Sequence, residues 1–231
     1  MTGGVCLTQY NPVIFSEIIP MTASRIILLR HGETVWNREN RIQGHLDTPL
    51  SDAGVAQAEA LAQRLAGESF VALYSSDLGR AHETAQCIAA RTDHRIILDP
   101  ALRERNLGIL QGLIRAEAQV LHPEIYTRYR TFDPDCVIPG GENALHFIAR
   151  VVATFSGIAN RFPGRAVVVV THGGTLDVMY RHASGVPLHG ARTASLPNAA
   201  FNCLIHDAAG RWSLPLWGDV THLQDRLPDD A

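Results

Sequence analysis

Residues 166–170 read Ala-Val-Val-Val-Val, and few folds can accept such a run. Consecutive β-branched residues favour a strand, and a strand without polar alternation has no face to offer water. It belongs inside a sheet covered on both sides, which parallel sheets achieve because their crossover helices lie on the faces. The rest of the chain supplies the partners. Short apolar runs at 25–29, 70–74 and 96–98 are further strand candidates. Pro49-Leu50-Ser51-Asp52 is a helix start with Ser51 or Asp52 as cap, after which Val55, Ala58, Leu61, Ala62 and Leu65 form one apolar face. More helices are expected from about 79 to 91, near 114–130, over 142–162 with Leu145, Ile148, Val151, Val152, Phe155 and Ile158 on one side, and from the end of the valine run to about 184. Strands at 200–206 and 211–217, joined by a turn at 207–210, close the pattern. Segment 103–142, with Gly108, Gly112, Pro123, Pro134 and Pro139-Gly140-Gly141, reads as an excursion from the sheet.

The expected fold is therefore a single-domain α/β three-layer sandwich, with a mostly parallel central sheet and helices on both faces. Residues 1–24 read as an N-terminal extension, with Met21 as an alternative start. Residues 25–220 form the catalytic domain, and 221–231 a polar tail.

Composition narrows the function. All 20 basic residues of the 231 are arginine. Without lysine there is no Schiff base, no pyridoxal enzyme and no Walker-type phosphate loop. Codon bias accounts for the composition as a whole, but its consequence is that guanidinium is the strong cation for an anionic ligand, and its planar fork suits phosphate. Net charge is −3 with both signs scattered, so neither a nucleic-acid surface nor a membrane patch is expected, and the partner is a small molecule. The four cysteines are far apart, which argues against a disulfide framework or zinc knuckle and for the cytoplasm. No apolar run approaches the roughly 18 residues of a spanning helix, and the first 20 residues lack the pattern of a secretory signal.

In open parallel sheets ligands bind at the carboxyl ends of the strands. Beyond four predicted strands lie Arg30-His31, Arg80, Glu104 and His172. Together they suit phosphoryl transfer. A neutral imidazole at His31 can attack phosphorus, Arg30 and Arg80 can clamp the oxygens, His172 can complete the pocket, and Glu104 can protonate the leaving oxygen and then activate water. No metal or cofactor is required. The 11 histidines include no His-Glu-x-x-His and no paired short spacing of a metal site.

Arg30-His31-Gly32-Glu33-Thr34 with Trp36-Asn37, Arg41-Ile42-Gln43-Gly44 and Asp47-Thr48-Pro49-Leu50-Ser51, followed by Ser75-Ser76-Asp77-Leu78-Gly79-Arg80-Ala81, Leu102-Arg103-Glu104, Gly140-Gly141-Glu142 and Thr171-His172-Gly173-Gly174, resembles the histidine phosphatase superfamily, the phosphoglycerate-mutase-like enzymes. The resemblance covers roughly 25–217 in the family's order. It implies that His31 is phosphorylated, that Arg30, Asn37, Arg80 and His172 hold the phosphate, that Gln43 lines the same pocket beside Gly173, and that Glu104 is the acid/base. Departures at His82-Glu83, Leu110-Gln111 and Asn143 leave these roles intact, but the resemblance makes 103–142 the lid over the leaving group, so they block any transfer of substrate preference.

Within that resemblance the chain looks more like the phosphatase branch. The interval between Glu104 and His172 is compact, with Arg105, Arg115, Arg128 and Arg130 as its early cations, whereas dedicated mutases carry a longer, more basic insertion. The expected activity is phosphomonoester hydrolysis on a small phosphorylated metabolite through a phosphohistidine. The alternatives are a bisphosphate-primed phosphoglycerate mutase and a catalytically weak regulatory relative. Monomer and homodimer both remain open, depending on whether 201–206 is an exposed edge.

Overall fold

In the computed structural model, which describes residues 22–226, the valine run becomes β4 (Ala166–Thr171), with Val167 to Val170 wholly inaccessible. On one side it pairs in parallel with β1 (Ser24–Arg30), Arg25 opposite Ala166 and Arg30 opposite Thr171. On the other it pairs in parallel with β2 (Ala72–Ser75), which pairs with β3 (Ile96–Leu98) at the edge. β5 (Phe201–His206) runs antiparallel to β1 and carries β6 (Trp212–Asp219) outside it, so the sheet order is β3-β2-β4-β1-β5-β6. Residues 201–206 are thus interior and buried, and they are no exposed edge. The expectations for residues 1–20 and Met21 lie outside the described residues.

Alternate residues of the central strands face opposite layers. Ile26, Leu28, Val167 and Val169 pack with α6 (Ala144–Arg161) and α7 (Gly173–Ser184). Ile27, Leu29, Val168 and Val170 pack with α2 (Asp52–Leu65) and α3 (Gly79–Thr92). Each fully buried Val, Leu or Ile contributes about 1.5–3 kcal/mol relative to an exposed one, so this double-sided burial is the main force holding β1 and β4 together. Ser51, not Asp52, caps α2 by accepting from Gly54 N at 3.0 Å. Val55 and Leu145, expected on the apolar faces, are exposed, and in those first turns the buried positions are Gly54 and Ala144 instead. The strand expected at 70–74 begins at Ala72. Ser24 already lies in β1, and beyond 220 the 3-10 helix Thr221–Arg226 packs Leu223 on the core, so both expected domain boundaries move outward.

The short α1 (Val35–Arg38) follows β1. The excursion carries α4 (Arg115–Leu121) and α5 (Pro123–Arg130) in place of one helix over 114–130. The break falls at His122, with φ −139° and ψ 57°, because Pro123 disfavours helical geometry in the residue before it. Ile42, Leu107, Leu110, Ala118, Tyr126, Cys136 and Ile138 give this layer its own small core, so it forms a packed roof.

Candidate active site

β1 delivers His31 to the carboxyl edge of the sheet, where its N–H donates to the Thr171 carbonyl at the end of β4 (3.0 Å). The chain then passes hard against the start of α2. A Cβ on Gly32 would collide with the Gly54 backbone, and one on Gly54 with the Glu33 backbone. Gly32 N donates to Thr84 Oγ1 (3.0 Å), and Ser51 N donates to the Glu33 carbonyl (2.9 Å). This scaffold leaves His31 only 3% exposed. Its Nδ1 lies 2.7 Å from the Gly32 carbonyl. A carbonyl only accepts, so Nδ1 carries the proton and Nε2 keeps its lone pair. Burial, then the Arg80 and Arg30 charges, hold the imidazole well below its ordinary pKa of 6.5, so the ring is neutral.

The cations are held by their outer nitrogens. Arg80 donates through Nη1 to Asp47 Oδ1 (2.9 Å) and the Leu46 carbonyl (3.2 Å), and through Nη2 to the Gly44 carbonyl (2.8 Å). Its Nε is buried with no partner. Arg30 donates through Nη1 to the Leu196 carbonyl, and its Nε is likewise unpartnered. Burial, then the charge of Arg192, pushes the Arg30 guanidinium down to about 10. Two cations that each keep a buried Nε donor without a partner are a site waiting for an anion. Asn37 Oδ1 accepts from Thr34 N (3.1 Å), Thr34 Oγ1 (3.1 Å) and Asn198 Nδ2 (3.2 Å), which turns its own amide N–H groups toward the cleft it lines. Gln43 lines the same cleft with Oε1 unpartnered.

Opposite them, Glu104 Oε1 accepts from Arg105 N (2.8 Å), and Oε2 from Gly174 N at the start of α7 (2.8 Å). A Cβ at Gly174 would strike Oε1, so the carboxylate can seat there only over glycine. The Glu104 carbonyl is fixed by His45 Nε2 (2.8 Å) and Arg150 Nη2 (3.4 Å). Gly173 meets the Arg30 side chain and lines the cleft. His172 is fully buried behind His31, ring centroids 5.3 Å apart, and does not itself form the cleft wall. Its Nε2 lies 2.8 Å from Ser76 Oγ, while Nδ1 is buried without a partner. Burial, then Arg80 and His31, lowers its pKa well below 6.5, so the ring is neutral without ligand.

The cleft has a volume of about 310 Å³. Arg30, His31, Asn37, Gln43, Arg80, Glu104 and Gly173 converge on it. Of the cations expected in the excursion, Arg105, Arg115 and Arg130 line it, but Arg128 pairs instead with Asp133 (2.7 Å) at the surface. Sequence reasoning missed several participants. Asp47 and Ser76 stand inside motifs that were read without assigning them a partner. Asn198, whose Nδ2 also donates to the His31 carbonyl (3.1 Å), and Arg192 lie on a coil with no local signal. Among the described residues no three His, Cys, Asp or Glu side chains are grouped to hold a metal ion, and no helix is long and apolar enough to cross a membrane.

Residues 26–220 match the sequence model of the histidine phosphatase superfamily (branch 1). The chain is 40% identical over 205 residues to phosphoglycerate mutase-like protein 4 of Arabidopsis thaliana, an alignment covering 87% of this chain and 88% of the relative. It is 38% identical over 203 residues to the metal-independent phosphoserine phosphatase of the same organism, covering 87% and 83%. Among solved structures, Bacillus stearothermophilus YhfR superposes with a TM-score of 0.81 at 29% identity, covering 87% of this chain and 99% of that one.

Proposed function

The chain belongs to the histidine phosphatase superfamily, and from that premise we propose that it hydrolyses small phosphate monoesters, without a metal, through a phosphohistidine at His31. The observation that carries this reading is a neutral imidazole whose Nδ1 is tied to Gly32, set beside two guanidiniums that each have a buried Nε with no partner. In the first step the Nε2 lone pair of His31 forms a bond to phosphorus while the ester P–O bond breaks, and Glu104 gives a proton to the departing oxygen. Arg30, Arg80 and Asn37 meet the charge that develops on the equatorial oxygens, with His172 supporting the site from behind. In the second step Glu104 takes a proton from water, the water oxygen bonds to phosphorus, the P–N bond breaks, and orthophosphate leaves. Gln43 and Gly173 shape the phosphate pocket. The free thiols of Cys87, Cys136 and Cys203 suit the reducing cytoplasm, which is the proposed location.

A second reading, a bisphosphate-primed phosphoglycerate mutase, is favoured by one observation: arginines besides Arg30 and Arg80 line the same cleft. One experiment covers both. Phosphate release from a panel of monoesters is followed in chelator, alongside conversion of 3- to 2-phosphoglycerate with and without a bisphosphate primer. Hydrolysis that persists in chelator and is lost in His31→Ala is expected. Primer-dependent isomerisation that outpaces hydrolysis would replace the first reading by the second, and activity unaffected by His31→Ala would contradict both.

A further inference from the structure

The wall of the site beside His31 and Asn37 is itself held from outside the cleft. Coil 196–199 meets the catalytic groups at three points. The Leu196 carbonyl accepts from Arg30 Nη1, Asn198 Nδ2 donates to the His31 carbonyl (3.1 Å) and to Asn37 Oδ1 (3.2 Å), and Ala199 N donates to the His31 carbonyl (3.2 Å). Asn198 therefore links the backbone of the nucleophile to the amide that faces the phosphate. Its neighbour Ala199 is wholly buried and adopts φ 54°. A residue with a side chain disfavours this left-handed conformation, which persists only where the surroundings over-determine it.

The N–H of Ala199 serves the site, and its carbonyl serves the 3-10 helix after β6. That carbonyl lies 3.1 Å from His222 Nε2, while Arg64 Nη1 lies 3.2 Å from His222 Nδ1. A guanidinium only donates and a carbonyl only accepts, so a single tautomer satisfies both contacts, with the proton on Nε2 and the lone pair on Nδ1. Partial burial, then the Arg64 charge, pushes the ring down to about 4, so this neutral form is the one present near neutral pH. Arg64 is fixed in turn. Its Nη2 donates to Asp219 Oδ2 (2.7 Å) at the end of β6, and its guanidinium lies 3.9 Å above the Phe201 ring. Thr221 N donates to Asp219 Oδ1 (2.9 Å) and Leu223 packs on the core, which together set the turn that presents His222. A continuous chain of contacts thus runs from Arg64 on α2 through His222 and Ala199 to Asn198, within a segment expected to be a polar tail.

Resting on the phosphomonoesterase reading, we infer that His222 is a positioning residue for phosphoryl transfer: oriented by Arg64, it fixes the Ala199 carbonyl and so aims Asn198 at the His31 backbone and Asn37. It acts from behind the coil and meets no substrate. Its effect belongs to the transition state, where Asn37 must face the equatorial oxygens and His31 must stand in line with phosphorus.

Turnover of p-nitrophenyl phosphate and calorimetric binding of orthophosphate and orthovanadate test this in the wild-type chain, His222→Ala and His222→Gln. Orthovanadate mimics the five-coordinate transition state, and glutamine keeps an N–H to offer the Ala199 carbonyl where alanine has none. His222→Ala should lower kcat and orthovanadate affinity each about 10-fold, with KM and orthophosphate affinity changed less than about 3-fold. His222→Gln should restore kcat and orthovanadate affinity to within about 3-fold of wild type. In an Asn198→Ala background the His222→Ala change should cost less than about 2-fold more, since a residue that acts through Asn198 then has nothing to act on. Wild-type kcat and orthovanadate affinity in His222→Ala, a His222→Gln variant as impaired as the alanine one, or losses that multiply in the Asn198→Ala background would overturn the inference. If His222→Ala does not fold, His222→Phe, which keeps a ring and drops both nitrogens, takes its place. Absence of phosphate release by the wild-type chain would count against the phosphomonoesterase reading alone, and the orthovanadate affinities would then decide the role of His222.

Discussion

An imidazole attacks phosphorus only while its lone pair is free, and most histidines near neutral pH spend part of their time protonated. His31 avoids this by position: it is buried, stands next to Arg80 and Arg30, and spends its one N–H on the Gly32 carbonyl. Nitrogen-15 NMR of the free protein should therefore find His31 neutral and protonated at Nδ1 as the pH is lowered through 6.5. A ring that titrates at 6.5 or carries its proton on Nε2 would contradict this. At this scale the sequence showed the residues whose chemistry is conspicuous, namely His31, Arg30, Arg80, Glu104 and His172, because each follows a predicted strand. It was silent about Asn198 and Arg192. Their roles arise from a coil folded back across the sheet, and neither hydrophobic period nor local turn chemistry encodes that contact.

At the scale of the element, strand and helix ends do the positioning. α7 starts so close to Glu104 that Gly174 must lack a side chain, while the helix itself would accept alanine. Gly174→Ala should keep the fold and an unchanged circular dichroism spectrum, yet lower kcat about 10- to 100-fold by displacing the acid. Retention of full kcat would show that Glu104 does not act from this seat. Capped, periodic elements were legible: the cap at Ser51 and the helix from Gly79 were found within a residue. The excursion was less so. Its single expected helix is two, because the constraint that Pro123 places on His122 outweighs the apolar spacing on either side.

Over the whole molecule, the valine run led correctly to a parallel sheet covered on both faces, since no other arrangement buries it. The order of strands at the antiparallel end was not read from the sequence, although Pro215 inside β6, which an interior strand would not accept, marks that strand as the edge. The same tight packing has a consequence for acid stability. His31 and His172 lie well below 6.5, and His222, half-buried and next to the Arg64 charge, is pushed down to about 4. In each case the native state stays neutral while the unfolded chain takes up a proton at its ordinary value, so the unfolded state binds more protons. The stability these groups contribute is complete above pH 6.5 and is lost as the pH falls toward about 4. Tm should decline across that window, and His222→Gln should flatten the decline. A Tm that is level or rises on acidification would contradict the assigned neutrality.

The central claim is that phosphate passes through His31. Rapid acid-free quenching after mixing the chain with a labelled monoester in chelator, followed by peptide mass spectrometry, tests it most directly. The account predicts a transient acid-labile phosphoryl group on the peptide containing His31, formed and discharged at rates that match turnover and absent in His31→Ala. Hydrolysis that proceeds with no phosphorylated histidine at any time, or with the group on another residue, would contradict it.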